Sequence, residues 1–261
     1  MSDVPIKISR RGAVLEVVID RPKANAIDSR TSRMLGEVFL AFRDDPAFRV
    51  ALITGSGNQF FSAGREAAVD GGDLLVPPDD GVGGFGGLQE LAGLNKPVVA
   101  AVNGIAIGGG MEMVLACDMV LAAEHTRFAL PEIKLGGMPD AAAVRLPRRI
   151  PHAVAMEMML TGRWMDAREA LRWGIVNEIV PPNALLERAR EVSRMIAEAP
   201  PLAVAAIKET VRETEALALQ DGLSRVSKRR LPAVARLYAS EDIKEGRRAA
   251  AQKRKPDWRG R

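Results

Sequence analysis

The stretch NGIAIGGGMEMVLACD, Asn103 to Asp118, decides the fold. Its first half is a glycine-rich turn and its second half a helix. It follows PVVAAV (Pro97–Val102), an apolar run that reads as a buried strand. Strand, glycine turn and helix in succession point to an α/β protein, whose ligand sites tend to lie where strands run into turns and helices. Gly108, Gly109 and Gly110 open the helix. The first N–H groups of a helix have no internal acceptor and carry the positive end of its dipole. Residues without Cβ let a ligand oxygen come close to them. The turn therefore suits a developing oxyanion or a phosphate. A bare structural turn packing a helix on a sheet fits the segment equally well. No Lys-Ser/Thr pair follows, so it is not a phosphate loop, and the dinucleotide spacing G-x-G-x-x-G is absent.

Working outward, AVLEVVID (Ala13–Asp20) and RVALIT (Arg49–Thr54) read as further buried strands, and Met119–Ala122 and Arg127–Leu130 as short ones. A helix is predicted over Ser29–Arg43, capped by Asp28 or Ser29, and a short one over Leu88–Leu94. Val69–Gly87, dense in Gly, Asp and Pro, is the candidate mobile loop. From Pro139 onward the pattern is helical, over 140–149, 152–161, 166–173, 184–198, 202–216, 221–236 and about 241–254, with an extended interruption at 176–180. Alternation of β and α up to about residue 138, then helices, predicts a largely parallel sheet with a C-terminal helical region. No internal repeat or heptad run stands out.

The 261 residues suit one large domain, or a core with a helical appendage. Hydrophobic residues make up 47% and charged residues 27%, a globular balance. No run of about 18 apolar residues occurs, so no membrane helix is expected. The first residues lack the apolar core of a secretory signal, and a cytoplasmic protein is expected. One cysteine (Cys117) and two histidines (His125, His152) leave too few ligands for a Cys/His zinc site. Neither histidine has a nucleophile pattern nearby; His152 reads as a helix-start residue and His125 as a turn residue. The net charge of +4 is uneven. Lys244–Arg261 carries eight basic residues against two acidic ones, so the preceding chain is slightly acidic. Such a tail can meet a small-molecule phosphate, a nucleic acid or an acidic surface, or can simply be solvated.

Carboxylates remain as catalytic groups. Glu112 sits in the first turn of the glycine-opened helix among Met111, Met113 and Val114. It can complement the helix dipole, or it can be a carboxyl whose pKa rises in apolar surroundings. Glu132 follows Pro131 and reads as a first-turn glutamate or a loop charge. Asp140, ahead of three alanines, reads first as an N-cap.

Several segments together resemble the crotonase (enoyl-CoA hydratase/isomerase) superfamily. They are Phe61-Ser62-Ala63-Gly64, Asn103-Gly104 with Gly108 to Glu112, and Pro131-Glu132 with Leu135-Gly136. Thr161-Gly162-Arg163 with Glu169-Ala170, Trp173 to Asn177, and Ser240-Glu241-Asp242 with Lys253-Arg254 complete the set, in order along almost the whole chain. The runs RPKANAID (21–28), GGFGGL (83–88) and EALRWGIVN (169–177) are similar to the carnitinyl-CoA dehydratase branch. The resemblance implies a spiral of ββα turns in residues 1–199 that binds acyl-CoA. It also implies an oligomerising helical region in 200–261, giving trimers or hexamers. Backbone N–H groups of Arg65 and Gly109 would hold the thioester oxygen, and Glu112 and Glu132 would be the acid–base pair adding or removing water. Lys23, Ala24, Ala26, Ser62, Ala63, Gly64, Glu66, Ile105, Pro131, Gly137, Asp140 and Lys253 would line the substrate and its CoA, with Lys253 near the phosphates. No cofactor or metal beyond the CoA of the substrate is implied.

There are departures. Glu66-Ala67 replace the usual Asp-Leu, and Ala142-Ala143 replace Gly-Gly, narrowing the space beside the acyl group. Asp140 matches an aspartate of the dienoyl-CoA isomerases, but those carry aspartate where this chain has Glu112. A double-bond isomerase is therefore the alternative activity. Some relatives bind RNA, yet a slightly acidic body, a single basic tail and 4% aromatics speak against nucleic acid as partner.

Overall fold

The computed structural model describes residues 4–66 and 79–261. The chain opens with β1 (Ile6–Arg11), β2 (Val14–Ile19), α1 (Ser29–Asp44), β3 (Val50–Gly55) and β4 (Phe60–Ser62). It continues with β5 (Val98–Val102), β6 (Ile105–Ile107), α2 (Gly109–Ala116), β7 (Met119–Ala123) and β8 (Arg127–Ala129). Then come α3 (Asp140–Arg149), α4 (His152–Thr161), β9 (Trp164–Asp166), α5 (Ala167–Trp173), β10 (Glu178–Val180) and α6 (Leu185–Ala197). The last elements are α7 (Pro201–Thr214), α8 (Leu219–Ser227), α9 (Pro232–Ala239) and α10 (Glu241–Ala251).

Two sheets form. The larger has the order β1-β2-β3-β5-β7-β10, the smaller β4-β6-β8-β9. Each of the pairs β3/β4, β5/β6 and β7/β8 puts its first strand in the large sheet and its second in the small one, and pairing within each set is parallel. That is the ββα spiral. Its strands read as continuous apolar runs because both faces are covered, and every residue of β3 and β5 is buried. Successive side chains point to opposite faces. Ala51, Ile53, Val98, Ala100 and Val102 enter the main core with α1 and α2. Val50, Leu52, Val99 and Ala101 pack on Leu185, Ala189 and Val192 of α6. Asp28 caps α1, its carboxylate accepting from the Thr31 N–H, a cap worth about 1 kcal/mol.

Some expectations are corrected. Leu88–Leu94 is not a helix. Gly83, Gly84, Gly86 and Gly87 all take positive φ, so the chain makes a single 3-10 turn at Phe85–Gly87 and then irregular backbone. The helix predicted over 221–236 is two, α8 and α9, broken where Arg229 takes φ +51° and Pro232 starts the next helix. β1 and β9 were not predicted, and β4 and β6 lie where turns were expected. Of the proposed mobile loop, residues 79–87 are seated on α1. The Ser32 Oγ donates to the Asp80 carbonyl and accepts from the Gly86 N–H. Its residues 69–78, and Ala67, lie outside the described residues. Asp140 is the first helical residue of α3, not its cap; Pro139 holds the cap position and no side chain bonds there. The basic tail is not loose. Arg254 forks onto Glu245, and the N–H groups of Arg259 and Gly260 donate to the buried Asp242. Among the described residues no helix is long and apolar enough to cross a membrane.

Candidate active site

The centre of the site is the junction of β4, β6 and α2. Ser62-Ala63-Gly64 leaves β4 and is pinned from one side by the Lys23–Ala26 turn. The Ala63 N–H donates to Ala24 O at 2.9 Å, and the Ser62 Oγ donates to Asn25 O at 2.8 Å. Asn25 is buried with φ +51°, and its side-chain amide donates to Ser56 O and Phe60 O. Residues 64 and 66 bond Ile27 on one side, so the Arg65 N–H faces the other way; among the described residues it has no acceptor.

The N-cap Gly108 and the first two residues of α2, Gly109 and Gly110, are each glycine for a different reason. Gly108 takes φ +53°, and a Cβ there would lie 2.7 Å from Glu132 Oε1. A Cβ on Gly109 would run into the Phe85 ring, and one on Gly110 into Ser62 O. Across the gap, a Cβ on Gly64 (φ +79°) would stand 2.8 Å from the Gly109 nitrogen. The Arg65 N–H and the first N–H groups of α2 thus border one small space kept open by missing side chains.

Two carboxyls flank it. Glu112 is 9% exposed. Its Oε1 accepts the Ala142 N–H at 2.9 Å, so it serves the first turn of α3 rather than only the dipole of its own helix. Burial pushes its pKa up, against the backbone N–H groups of Ala142 and Ala141 that pull it down; Asp140 adds to the rise and Arg65 opposes it. Glu132 lies in the 3-10 turn Pro131–Leu135. Its Oε2 is buried and has no hydrogen-bond partner among the described residues. Its pKa is also raised, by burial first, then by the charges of Glu112 and Asp140. Two carboxyls raised toward neutrality and in each other's field can divide the roles of acid and base.

A raised pKa has a consequence for stability. Below the ordinary glutamate range Glu132 is protonated in both folded and unfolded chains and costs nothing. Above its raised value the fold must hold a desolvated charge, so this contribution falls as pH rises through that window. Glu132→Gln should therefore melt above wild type at about pH 8, with the gap closing toward about pH 4. Thermal melts at the two pH values decide it, and a lower melting temperature at both would count against the assignment.

The remaining expected residues divide. Ile105 and Pro131 are half-buried beside the site, and the exposed Gly137 donates its N–H to Glu132 O. Asp140 is exposed at the start of α3. The Lys23–Ala26 turn is flanked by two hollows. One of about 220 Å3 is lined by Arg21, Lys23, Asn25 and Gln59 among others. One of about 300 Å3 includes Ala26, Asp28, Arg30 and Glu66. Glu66 is ion-paired to Arg21 at 2.9 Å. Lys253 stands apart, exposed at the end of α10 with φ +52°, and no bond among the described residues joins it to the others. His125 and His152 are exposed, the former bonded to Asn58 O. No group of three His, Cys, Asp or Glu residues placed to hold a metal occurs among the described residues. Phe85, Asp80 and Ser32 were not singled out from the sequence; the glycines around Phe85 were the only signal.

Comparison with known proteins agrees with this geometry. The enoyl-CoA hydratase/isomerase family profile matches residues 9–261. The chain is 51% identical over 259 residues to carnitinyl-CoA dehydratase of Salmonella arizonae, covering 98% of each. It is 50% identical over 257 residues to that of Proteus mirabilis, again 98% of each. Among solved structures it is similar to an enoyl-CoA hydratase of Mycobacterium tuberculosis, at TM-score 0.88 and 34% identity over 98% of this chain and 99% of that one. An enoyl-CoA hydratase of Geobacillus kaustophilus gives TM-score 0.88 and 35% identity over 99% of both chains. With the spiral, the glycine-bordered space and the two glutamates in place, the chain belongs to the enoyl-CoA hydratase/isomerase family.

Proposed function

We propose that the chain is a hydro-lyase that adds water to, or removes it from, the α,β double bond of an enoyl-CoA thioester. The observation that carries this reading is the pair of raised carboxyls, Glu112 and Glu132, facing a space bordered by the Arg65 and Gly109 N–H groups. The thioester oxygen sits between those donors. As water attacks the β-carbon, electron density moves onto that oxygen, where the N–H groups stabilise it. One glutamate, ionised, takes a proton from the attacking water; the other, protonated, delivers one to the α-carbon. The reverse sequence expels the β-hydroxyl as water.

The CoA runs past the turn at Lys23, Ala24 and Ala26 and the segment Ser62–Glu66, with Lys253 supplying charge for its phosphates. Relatives half identical to this chain, carnitinyl-CoA dehydratases, support carnitinyl-CoA as its substrate, with crotonobetainyl-CoA as the product left by loss of water. Carboxyls at 112, 132 and 140, with Arg65 engaged by Asp80, suit an acyl chain bearing a quaternary ammonium. Residues 200–261 form the oligomerising region of a trimer or hexamer. In support, α7 and α9 share a separate apolar cluster of Ala206, Leu231 and Val234, and Ile207, Val211 and Leu219 are exposed.

Incubation with crotonyl-CoA, crotonobetainyl-CoA and carnitinyl-CoA, followed by mass analysis, tests the reading. Gain or loss of one water is expected, fastest with the last two. Products of unchanged mass with altered absorbance would make the chain a double-bond isomerase instead.

A further inference from the structure

The Arg65 side chain is not needed to bind a thioester oxygen, since the donor is its main-chain N–H, yet it is held on two sides. Its guanidinium forks onto the carboxylate of Asp80, one arm at 3.0 Å. The same guanidinium stacks over the Phe85 ring, 4.7 Å from the centroid. The far edge of that ring rests on Gly109, close enough that a Cβ there would collide with its Cε1. Asp80, Arg65, Phe85 and Gly109 thus form one unbroken line of contacts. Arg65 joins this line by its side chain and Gly109 by its backbone, and the main-chain N–H groups of these two residues are the proposed oxygen donors.

The line is anchored. Ser32 on α1, fully buried, bonds the carbonyl of Asp80 at 3.1 Å and the N–H of Gly86, next to Phe85, at 3.0 Å. A Cβ on Gly86 would strike the Met113 side chain of α2, so the loop lies tight between α1 and α2. An Asp–Arg fork has fixed geometry, and an arginine stacked on an aromatic face gains further attraction. Together they fix the Arg65 guanidinium on the ring that packs against Gly109.

We propose that Asp80, the Arg65 side chain and Phe85 form a positioning clasp that sets the distance between the two N–H donors. This rests on the reading that those two groups hold the thioester oxygen. Displacement of a reacting group by about 1 Å can cost a hundredfold in rate. Arg65→Ala keeps the donor N–H and removes the clasp. Phe85→Ala removes the spacer, and Phe85→Tyr keeps the ring.

The test pairs kinetics with infrared spectra of bound butyryl-CoA labelled with carbon-13 at its carbonyl, a saturated thioester that binds but cannot be hydrated. In wild type the carbonyl band should move to lower frequency on binding. Arg65→Ala and Phe85→Ala should lose most of that shift, with kcat on crotonyl-CoA down about ten- to a hundredfold and KM changed by less than about threefold. Phe85→Tyr should restore both. Asp80→Asn should weaken the shift in wild type and add nothing in the Arg65→Ala background. A full carbonyl shift kept by both alanine variants would overturn the clasp alone. Absence of any shift in wild type would overturn the donor reading, and the clasp with it.

Discussion

Glu132→Gln is expected to lower kcat by about 10²–10⁴ while KM stays within about threefold. Glutamine keeps the size and the planar oxygen of the side chain, so the packing against Gly108 survives. It can neither take nor give the proton. The buried, unpartnered Oε2 is the atom that has no structural duty among the described residues, which leaves it to the substrate or its water. Glu112→Gln should cost a similar factor, because the amide oxygen can still accept the Ala142 N–H and the loss is again confined to proton transfer. The double variant should be little worse than either single one, since the two groups act in one proton cycle. Assays of crotonyl-CoA hydration by all three variants decide the matter. Full activity in either single variant would remove that glutamate from the mechanism. Multiplicative losses would mean that the two act in separate steps.

How much of this is visible in the chain depends on length scale. The inner large-sheet strands β2, β3, β5 and β7 are largely apolar runs of five or six residues, long enough to register, and the segment of Gly108 to Glu112 carries its turn and helix openly. Strands β4, β6, β8 and β9 have three residues each, too few for an alternation to show, and all but β8 escaped prediction. Leu88–Leu94 has the apolar spacing of a helix, but the positive-φ glycines before it and Gly93 within it turn the chain instead. Asp140 looks like a cap because the alanines after it look like a helix. The N–H at Ala142 is satisfied by Glu112, thirty residues earlier in sequence, and no local reading can supply a partner that distant. The candidate site residues are named through the family resemblance. Residue types and spacing alone left Glu112 and Glu132 with ordinary structural explanations. The clasp at Asp80 and Phe85 was hidden, because its meaning depends on α1 bringing Ser32 to both ends of a glycine-rich loop.

Gly64→Ala is expected to lower kcat by about 10²–10³, the cost of spoiling one oxyanion donor. Two effects of the added methyl must be separated. At φ +79° an alanine is strained by about 1–2 kcal/mol wherever it occurs. Here the methyl also lands 2.6 Å from Ile107 O and 2.8 Å from the Gly109 nitrogen, both backbone atoms. Neither can swing aside as a flexible side chain could. The first turn of α2 must move, and with it the Gly109 N–H proposed to hold the thioester oxygen. Gly174→Ala supplies the comparison, since Gly174 has φ +84° and no heavy atom within 4 Å of its would-be Cβ. It carries the strain without the collision. Both variants should therefore lose stability in urea titrations, Gly64→Ala the more because of its collision, while only Gly64→Ala loses turnover. If both keep wild-type kcat, the space between residues 64 and 109 does not hold the reacting oxygen. If both lose it equally, the loss comes from strain in the fold rather than from the donor pair.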